Sequence, residues 1–281
     1  MVYQSGYIIS KSIGENVDTL LDRIKLKKAS LIIIDGQQGE GKTTLAVGIA
    51  DFVERKPCNL KDQLALGGVD FEQKLEKAIM KGYKVLIYDE AGDFSKRGAL
   101  TSFNQRLNRL FETFRTFGIL VIMCLPSFNV LDNGIFINGV PRMLLNCHAR
   151  DRKDGAVRGY ALSEMFYLKY SMKKEVNPLV SYSKITPNFR GKFHDLTPKR
   201  SYELDEISKE AKLGLLQTEL ALKGMYNFRD ICSELGISYS YTRQVIKDLG
   251  IEPEKIHKKV KYFDAEILET LRVEVDKLRK T

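Results

Sequence analysis

Short runs of consecutive apolar residues alternate along the first two-thirds of the chain with stretches where apolar residues recur every three or four positions. Leu31–Ile34, Val85–Tyr88 and Ile119–Cys124 are too brief for helices and rich in β-branched residues, so they predict strands buried on both faces. Between them the period is helical. Val17, Leu20, Leu21 and Ile24 predict a helix over Ile13–Lys28. Leu45, Ala46, Ile49, Ala50 and Val53 predict another from Thr43 onward, and Phe71, Leu75, Ala78 and Ile79 one over Asp70–Lys81. Phe103, Leu107, Leu110, Phe111 and Phe114 predict a further helix over Ala99–Phe117. Strands alternating with helices imply a mostly parallel sheet covered on both faces. Met143–Ala149 and Gly159–Tyr170 read as two strands around the polar turn Asp151–Gly155, expected to pair as an edge hairpin.

The pattern then breaks. Pro178, Pro187, Pro198 and Gly191 among basic residues read as a linker over 177–203. Helices follow at Leu204–Lys223, Asn227–Leu235, Ser240–Leu249 and Asp264–Lys280. The expected division is an α/β domain over 1–176, the linker, and a small all-α domain over 204–281.

Composition narrows the setting. Cys58, Cys124, Cys147 and Cys232 are scattered with no metal-ligand pair, which suits a reducing compartment. The N-terminus lacks a signal-peptide layout, and the longest apolar run, Ile119–Pro126, is far short of the ~20 residues that span a bilayer. A cytoplasmic protein with no membrane segment is expected. The net charge is +9, and residues 142–200 concentrate it, with 13 Lys+Arg against 5 Asp+Glu. Such local excess is the electrostatic footprint of a phosphate-backbone contact, or else a solvated basic surface.

The chemistry sits at strand ends. Gly36-Gln-Gln-Gly-Glu-Gly-Lys42-Thr43 fits the phosphate-loop pattern and lies between an apolar strand and a helix, as that motif requires. Its glycines let successive amides face a phosphate, Lys42 brings charge to the β and γ phosphates, and Thr43 offers a hydroxyl to Mg²⁺. The expected nucleotide-contacting set is Gly36, Gln37, Gln38, Gly39, Glu40, Gly41, Lys42, Thr43 and Thr44. The strand Val85–Tyr88 ends on Asp89-Glu90. Asp89 is expected to hold Mg²⁺ with Thr43, and Glu90 to accept the proton of an attacking water. An acid following the magnesium aspartate, and the lack of an Asn-Lys-x-Asp motif, favour ATP over GTP.

Arg115-Thr-Phe-Gly-Ile119, leading the third buried strand, and the following Asn138-Gly-Val-Pro-Arg142 bring a family into view. The chain over about residues 30–170 resembles the FtsK/HerA group of DNA-pumping ATPases and the related zonula occludens toxin-like phage ATPases. That family commonly ends this strand in Thr-Gln; here Leu125-Pro126-Ser127 stands instead, and Ser127 takes the place of the polar sensor. The resemblance also implies ring assembly, with an arginine from a neighbouring subunit stabilising the γ-phosphate charge. Arg115 is the favoured candidate, beside Arg109 and Arg150.

In the C-terminal part, Ile231 and Leu235, the turn Gly236, the plug Ile237, the cap Ser238, and Val245, Ile246 and Leu249 read as a helix-turn-helix. Its second helix would present Tyr239, Ser240, Tyr241, Arg243 and Gln244 to DNA. The alternative is a protein-interaction module. The leading expectation is an ATP- and Mg²⁺-dependent motor, a homo-oligomer, possible as a ring, that translocates or packages duplex DNA of a virus or plasmid. The alternative is a nucleotide-switched DNA-binding regulator of replication, partition or transcription; phage-type morphogenesis with a membrane partner ranks lower.

Overall fold

The computed structural model describes residues 6–26, 28, 30–89, 116–131, 141–151, 154–175, 177–221, 225–257 and 260–279. Its strands are β1 Leu31–Asp35, β2 Leu64–Ala65, β3 Val85–Asp89, β4 Leu120–Leu125, β5 Pro141–Asp151, β6 Asp154–Ala161 and β7 Phe189–His194. They form one sheet in the order β2-β3-β4-β1-β5-β6-β7. The pairs from β2 through β5 are parallel, and β5-β6 and β6-β7 are antiparallel. The mostly parallel sheet carries helices on both faces, consistent with a P-loop-type α/β fold.

Each apolar strand feeds two cores because successive side chains point to opposite faces. Ile32, Ile34, Val85, Ile87, Leu120 and Ile122 lie on one face. There they meet Ile13, Val17 and Leu20 of helix α1 (Lys11–Lys25) and Leu45, Ile49 and Phe52 of α2 (Lys42–Glu54). Leu31, Ile33, Leu86, Tyr88, Val121 and Met123 lie on the other face. They meet Phe71, Leu75 and Ala78 of α4 (Gly68–Lys81), which follows the short helix α3 (Leu60–Gln63). Burying a Leu- or Ile-sized side chain stabilises by about 1.5–3 kcal/mol, which explains why no polar residue interrupts these runs before their C-terminal ends.

Two sequence expectations are corrected here. Gly159–Tyr170 is not one strand: β6 stops at Ala161 and helix α5 spans Leu162–Lys174. Met165, Leu168, Lys169 and Met172 are its buried residues, a helical spacing that the neighbouring aromatic residues obscure. Lys169 lies with its stem among these apolar residues and donates its ammonium to the Leu131 carbonyl. The stretch 177–203 is not a free linker. It supplies the short helix α6 (Ser181–Lys184), the edge strand β7, and the start of α7 (Pro198–Ala221). Arg200 fastens that start to α2 and its following loop, through Asp51 Oδ1 at 2.9 Å and the Cys58 carbonyl at 2.9 Å. The expected helix Ala99–Phe117 falls almost wholly outside the described residues.

The chain divides into two compact units, Met1–Ser208 and Lys209–Thr281. In the second, α8 (Phe228–Leu235) starts on a reciprocal cap: Asn227 Oδ1 accepts the amides of Arg229 and Asp230, and Asp230 accepts that of Asn227. It ends at Gly236, whose φ of 61° is the left-handed turn. Ser238 then caps α9 (Tyr239–Asp248), accepting the Tyr241 amide at 3.2 Å. This unit is not all-α. Strands β8 (Tyr226–Asn227), β9 (Lys255–His257) and β10 (Val260–Phe263) form an antiparallel sheet in the order β8-β10-β9. Phe263 joins Ile231, Leu235, Val245 and Ile246, with Leu268, Leu271 and Val275 of α10 (Ala265–Arg279), in a separate core. Among the described residues no helix is long and apolar enough to cross a membrane.

Candidate functional site

Parallel strands deliver their C-terminal ends to one edge of a sheet, the edge where open α/β folds place ligands. Here that edge carries the glycine loop between β1 and α2, Asp89 at the end of β3, and Ser127 just past β4. Gly36 has φ 148°, and a Cβ there would stand 2.7 Å from the Cys147 carbonyl oxygen, so only glycine lets the loop leave β1 so close to β5. Gly41, at φ 82°, precedes α2 and offers no side-chain oxygen to its first turn, which also carries no acid. The opening amides of α2 therefore remain available to an anion, and the helix dipole favours one.

Three residues expected to act together are together. Thr43 Oγ1 donates to Asp89 Oδ2 at 2.7 Å, joining the loop helix to the end of β3. Lys42 Nζ, on the preceding residue, donates to the carbonyls of Gly36 and Gln37, both at 2.8 Å. Glu40 Oε2 accepts the Gln37 amide at 2.6 Å. The lysine and one loop amide are thus held by the loop itself. Gln37, Gln38 and Gly39 are exposed, while Glu40 through Thr44 are half-buried.

Ser127 lies at the same edge, half-buried, with its hydroxyl oxygen accepting the Asn129 amide at 3.3 Å. Glu90, Arg109 and Arg115 lie outside the described residues, and Arg150 is on β5. The residues assigned to DNA, Tyr239, Ser240, Tyr241, Arg243 and Gln244, are all exposed on α9 in the second unit. Gln244 donates to Asp248 Oδ1 at 2.6 Å.

Sequence reading missed a buried carboxylate directly before the loop. Asp35, the last residue of β1, is 1% exposed and accepts three hydrogen bonds. They come from Asn146 Nδ2 on β5 at 3.0 Å, the Phe128 amide at 3.0 Å, and the Tyr182 hydroxyl on α6. Burial raises the Asp35 pKa above its ordinary value; the bonds from Tyr182, Asn146 and Phe128, and the charge of Lys42, pull the other way. Burial and the adjoining Asp35 carboxylate likewise push the Tyr182 hydroxyl well up. This network ties the loop to the segment after β4, to β5 and to α6. Its one visible signal is an acid ending an apolar strand. Nearby, burial and then the Asp89 charge push the Cys124 thiol well up, so it stays neutral beside the carboxylate.

No protein-family model matches the chain, and no curated protein matches it. Among solved structures it is similar to a DNA polymerase III gamma subunit-related protein of Thermotoga maritima, at 13% identity and TM-score 0.31, over 48% of this chain and 46% of that one. The chain therefore spans under half the length of that protein. It is similar to the N-terminal domain of zonular occludens toxin from Neisseria meningitidis, at 15% identity and TM-score 0.34, over 61% of this chain and 96% of that one. It is also similar to the flagellar accessory protein FlaH of Methanocaldococcus jannaschii, at 15% identity and TM-score 0.25, over 52% and 84%. These are distant likenesses.

Proposed function

We propose that the chain binds ATP with Mg²⁺ at Gly36–Thr44, hydrolyses it, and uses the cycle to move duplex DNA as a homo-oligomeric ring. The observation that carries the nucleotide part is the 2.7 Å contact between the Thr43 hydroxyl and the Asp89 carboxylate, beside Lys42 and the open end of α2. A hydroxyl and a carboxylate in contact, next to phosphate-binding amides, is the donor set a hard cation takes together with phosphate oxygens. Thr43 and Asp89 would hold Mg²⁺, which when bound supplies charge opposite the phosphate oxygens. Lys42 leaves the Gly36 and Gln37 carbonyls for the phosphates, and Glu40 releases the Gln37 amide to the same ligand. Glu90, next in the chain to Asp89, is assigned the proton of the attacking water. Arg115 is assigned the γ-phosphate of a neighbouring subunit, and Ser127 the sensing of the nucleotide state.

The DNA part is supported by the basic excess over 142–200 and by the second unit. We read that unit as a helix-turn-helix with a β-hairpin beside it: α8 and α9 meet at Gly236, α9 exposes Tyr239, Ser240, Tyr241, Arg243 and Gln244, and the segment 255–261 carries four lysines. The exposed aromatic and polar start of α9 favours a second reading, a nucleotide-switched regulator that reads a DNA site. ATP turnover by the full chain, alone and with random duplex DNA, separates the two. A motor predicts turnover that rises several-fold with any duplex and vanishes in Lys42→Ala and Glu90→Gln. Slow turnover indifferent to random DNA would sink the motor and favour the regulator; no turnover at all would sink both.

A further inference from the structure

The antiparallel end of the sheet carries a row of polar side chains that the proposed nucleotide site does not use. Residues facing one another across paired strands share a face of the sheet. Asp35 faces Asn146, Asn146 faces Arg158 on β6, and Arg158 faces Arg190 on β7. In the adjacent row on that face, His148 faces Ala156, and Ala156 faces Lys192. Arg158 and Arg190 are therefore like charges directly opposite each other, an arrangement that destabilises a sheet unless something of opposite charge lies between them. On this face of β6 and β7 the carboxylate is Asp154, and it is paired with His194. Among the described residues no carboxylate lies within ion-pair distance of either arginine.

Two adjoining clefts open on the row. The larger, of about 280 Å³, is lined by both arginines with Tyr182, Ser183 and Thr186 among its walls. The smaller, of about 160 Å³, shares Arg158 and Tyr182 and runs past His148 and Asn146 to Gln37 and Glu40 of the phosphate loop. A water takes about 30 Å³ of liquid volume, so the larger cleft has room for a tetrahedral oxyanion with water around it. His148 registers the charge there: burial, then Arg158 and Arg190, hold its pKa below the usual histidine range.

The register and the clefts together point to one use. We propose that Arg158 and Arg190 form a second phosphate-binding site, separate from the Gly36–Thr44 loop and joined to it by the cleft past His148. Two guanidinium groups facing across a strand pair offer planar forks of donors, the geometry that grips a phosphate oxyanion from two sides, with Ser183 and Thr186 at the wall. The oxyanion comes either from a nucleic-acid backbone or from the phosphates of a free mononucleotide. The site stands whether or not the loop hydrolyses ATP.

The test uses the full chain carrying Lys42→Ala, which removes the loop lysine from both measurements. This parent is compared with versions that add Arg158→Gln/Arg190→Gln or Arg158→Lys/Arg190→Lys. One arm reads thermal stabilisation by inorganic pyrophosphate; the other reads anisotropy of a fluorescent random DNA duplex at low and raised salt. The glutamine pair should weaken binding about tenfold or more in at least one arm, with the lysine pair in between, since it removes charge-assisted hydrogen bonds and the lysine pair keeps the charge without the planar fork. Loss in the pyrophosphate arm alone assigns the site to a free nucleotide. Loss in the duplex arm alone, with a shallower salt dependence, assigns it to the backbone, and loss in both makes it a general phosphate site. Unchanged binding in both arms overturns the proposal. So does a glutamine variant that melts well below its parent, because unpaired like charges contribute no stability to lose.

Discussion

On one side of β1, strands β3 and β4 are buried from end to end except at Asp89, and helices lie over both faces. On the other side, β6 and β7 alternate buried with partly or fully exposed residues, and glycines stand where side chains would otherwise pack. The first half is a rigid frame that holds a hydroxyl and a carboxylate 2.7 Å apart at its edge. The second half brings Arg158 and Arg190 together with no carboxylate among the described residues within ion-pair distance of either. Burial fixes the geometry of chemistry in the first case; in the second, exposure leaves charge free to meet a ligand. Asp35 and Asn146, bonded at 3.0 Å, form the seam between the two.

If the two halves differ in this way, substitutions at the frame's edge should remove activity without unfolding the chain. Lys42→Ala is expected to lower ATP turnover by about 10²–10³-fold or more, since it removes a charge aimed at the reacting phosphates. Urea unfolding should shift by no more than about 0.5 kcal/mol, because the lysine's partners are half-exposed loop carbonyls. A matching loss of stability would mean that the loop is part of the frame. The seam should behave in the opposite way. Asp35→Ala leaves three donors facing a void and is expected to cost about 3–5 kcal/mol in denaturant unfolding. Asp35→Asn tests the charge alone. Because burial raises the folded pKa of Asp35 above its ordinary 3.8, the folded chain holds that proton more tightly than the unfolded chain. Stability should therefore fall as pH rises from the ordinary aspartate range through the raised folded value. The difference between Asp35→Asn and the parent should grow over that window and level off above it.

The same contrast explains what the sequence revealed. Continuous runs such as Leu31–Ile34 can only be strands buried on both faces, and loop spacing with an acid at the end of Val85–Asp89 marked Lys42, Thr43 and Asp89. Strand β7 was hidden because its apolar residues, Phe189 and Phe193, cover one face only and sit among Pro187, Gly191, Arg190 and Lys192. Strand β2 is two residues long, too short to carry a period. The Asp35 network joins residues 93, 111 and 147 positions apart, and only the folded register brings them together. In the second unit, β9 and β10 are three and four residues long, likewise too short to carry a period of their own.

The antiparallel half should depend on the glycine positions that the frame lacks. A Cβ on Gly159 would stand 2.2 Å from the Phe189 ring, its cross-strand neighbour, and one on Gly155 would stand 2.1 Å from that of Phe193. These ring-on-glycine pairs set the register that brings Arg158 opposite Arg190. Gly159→Ala is expected to cost about 1–3 kcal/mol by overpacking, read from denaturant midpoints. A neutral result would show that the edge shifts freely and that its register is loosely held.

The smallest effect has an unusual sign. Most single substitutions in a folded domain destabilise it. Arg158→Gln should not, because in the ligand-free chain Arg158 faces Arg190 with no carboxylate in reach among the described residues, and like charges directly opposite in a sheet cost about 0.2–1 kcal/mol. Glutamine keeps part of the aliphatic stem while removing the charge. The variant should equal its parent or exceed it by that margin at low ionic strength, and the gain should shrink as salt screens the pair. Denaturant unfolding at low and raised salt decides it. A loss of stability that does not depend on salt would show that Arg158 packs or bonds as part of the frame, and the difference between the two halves would then be one of burial and not of charge.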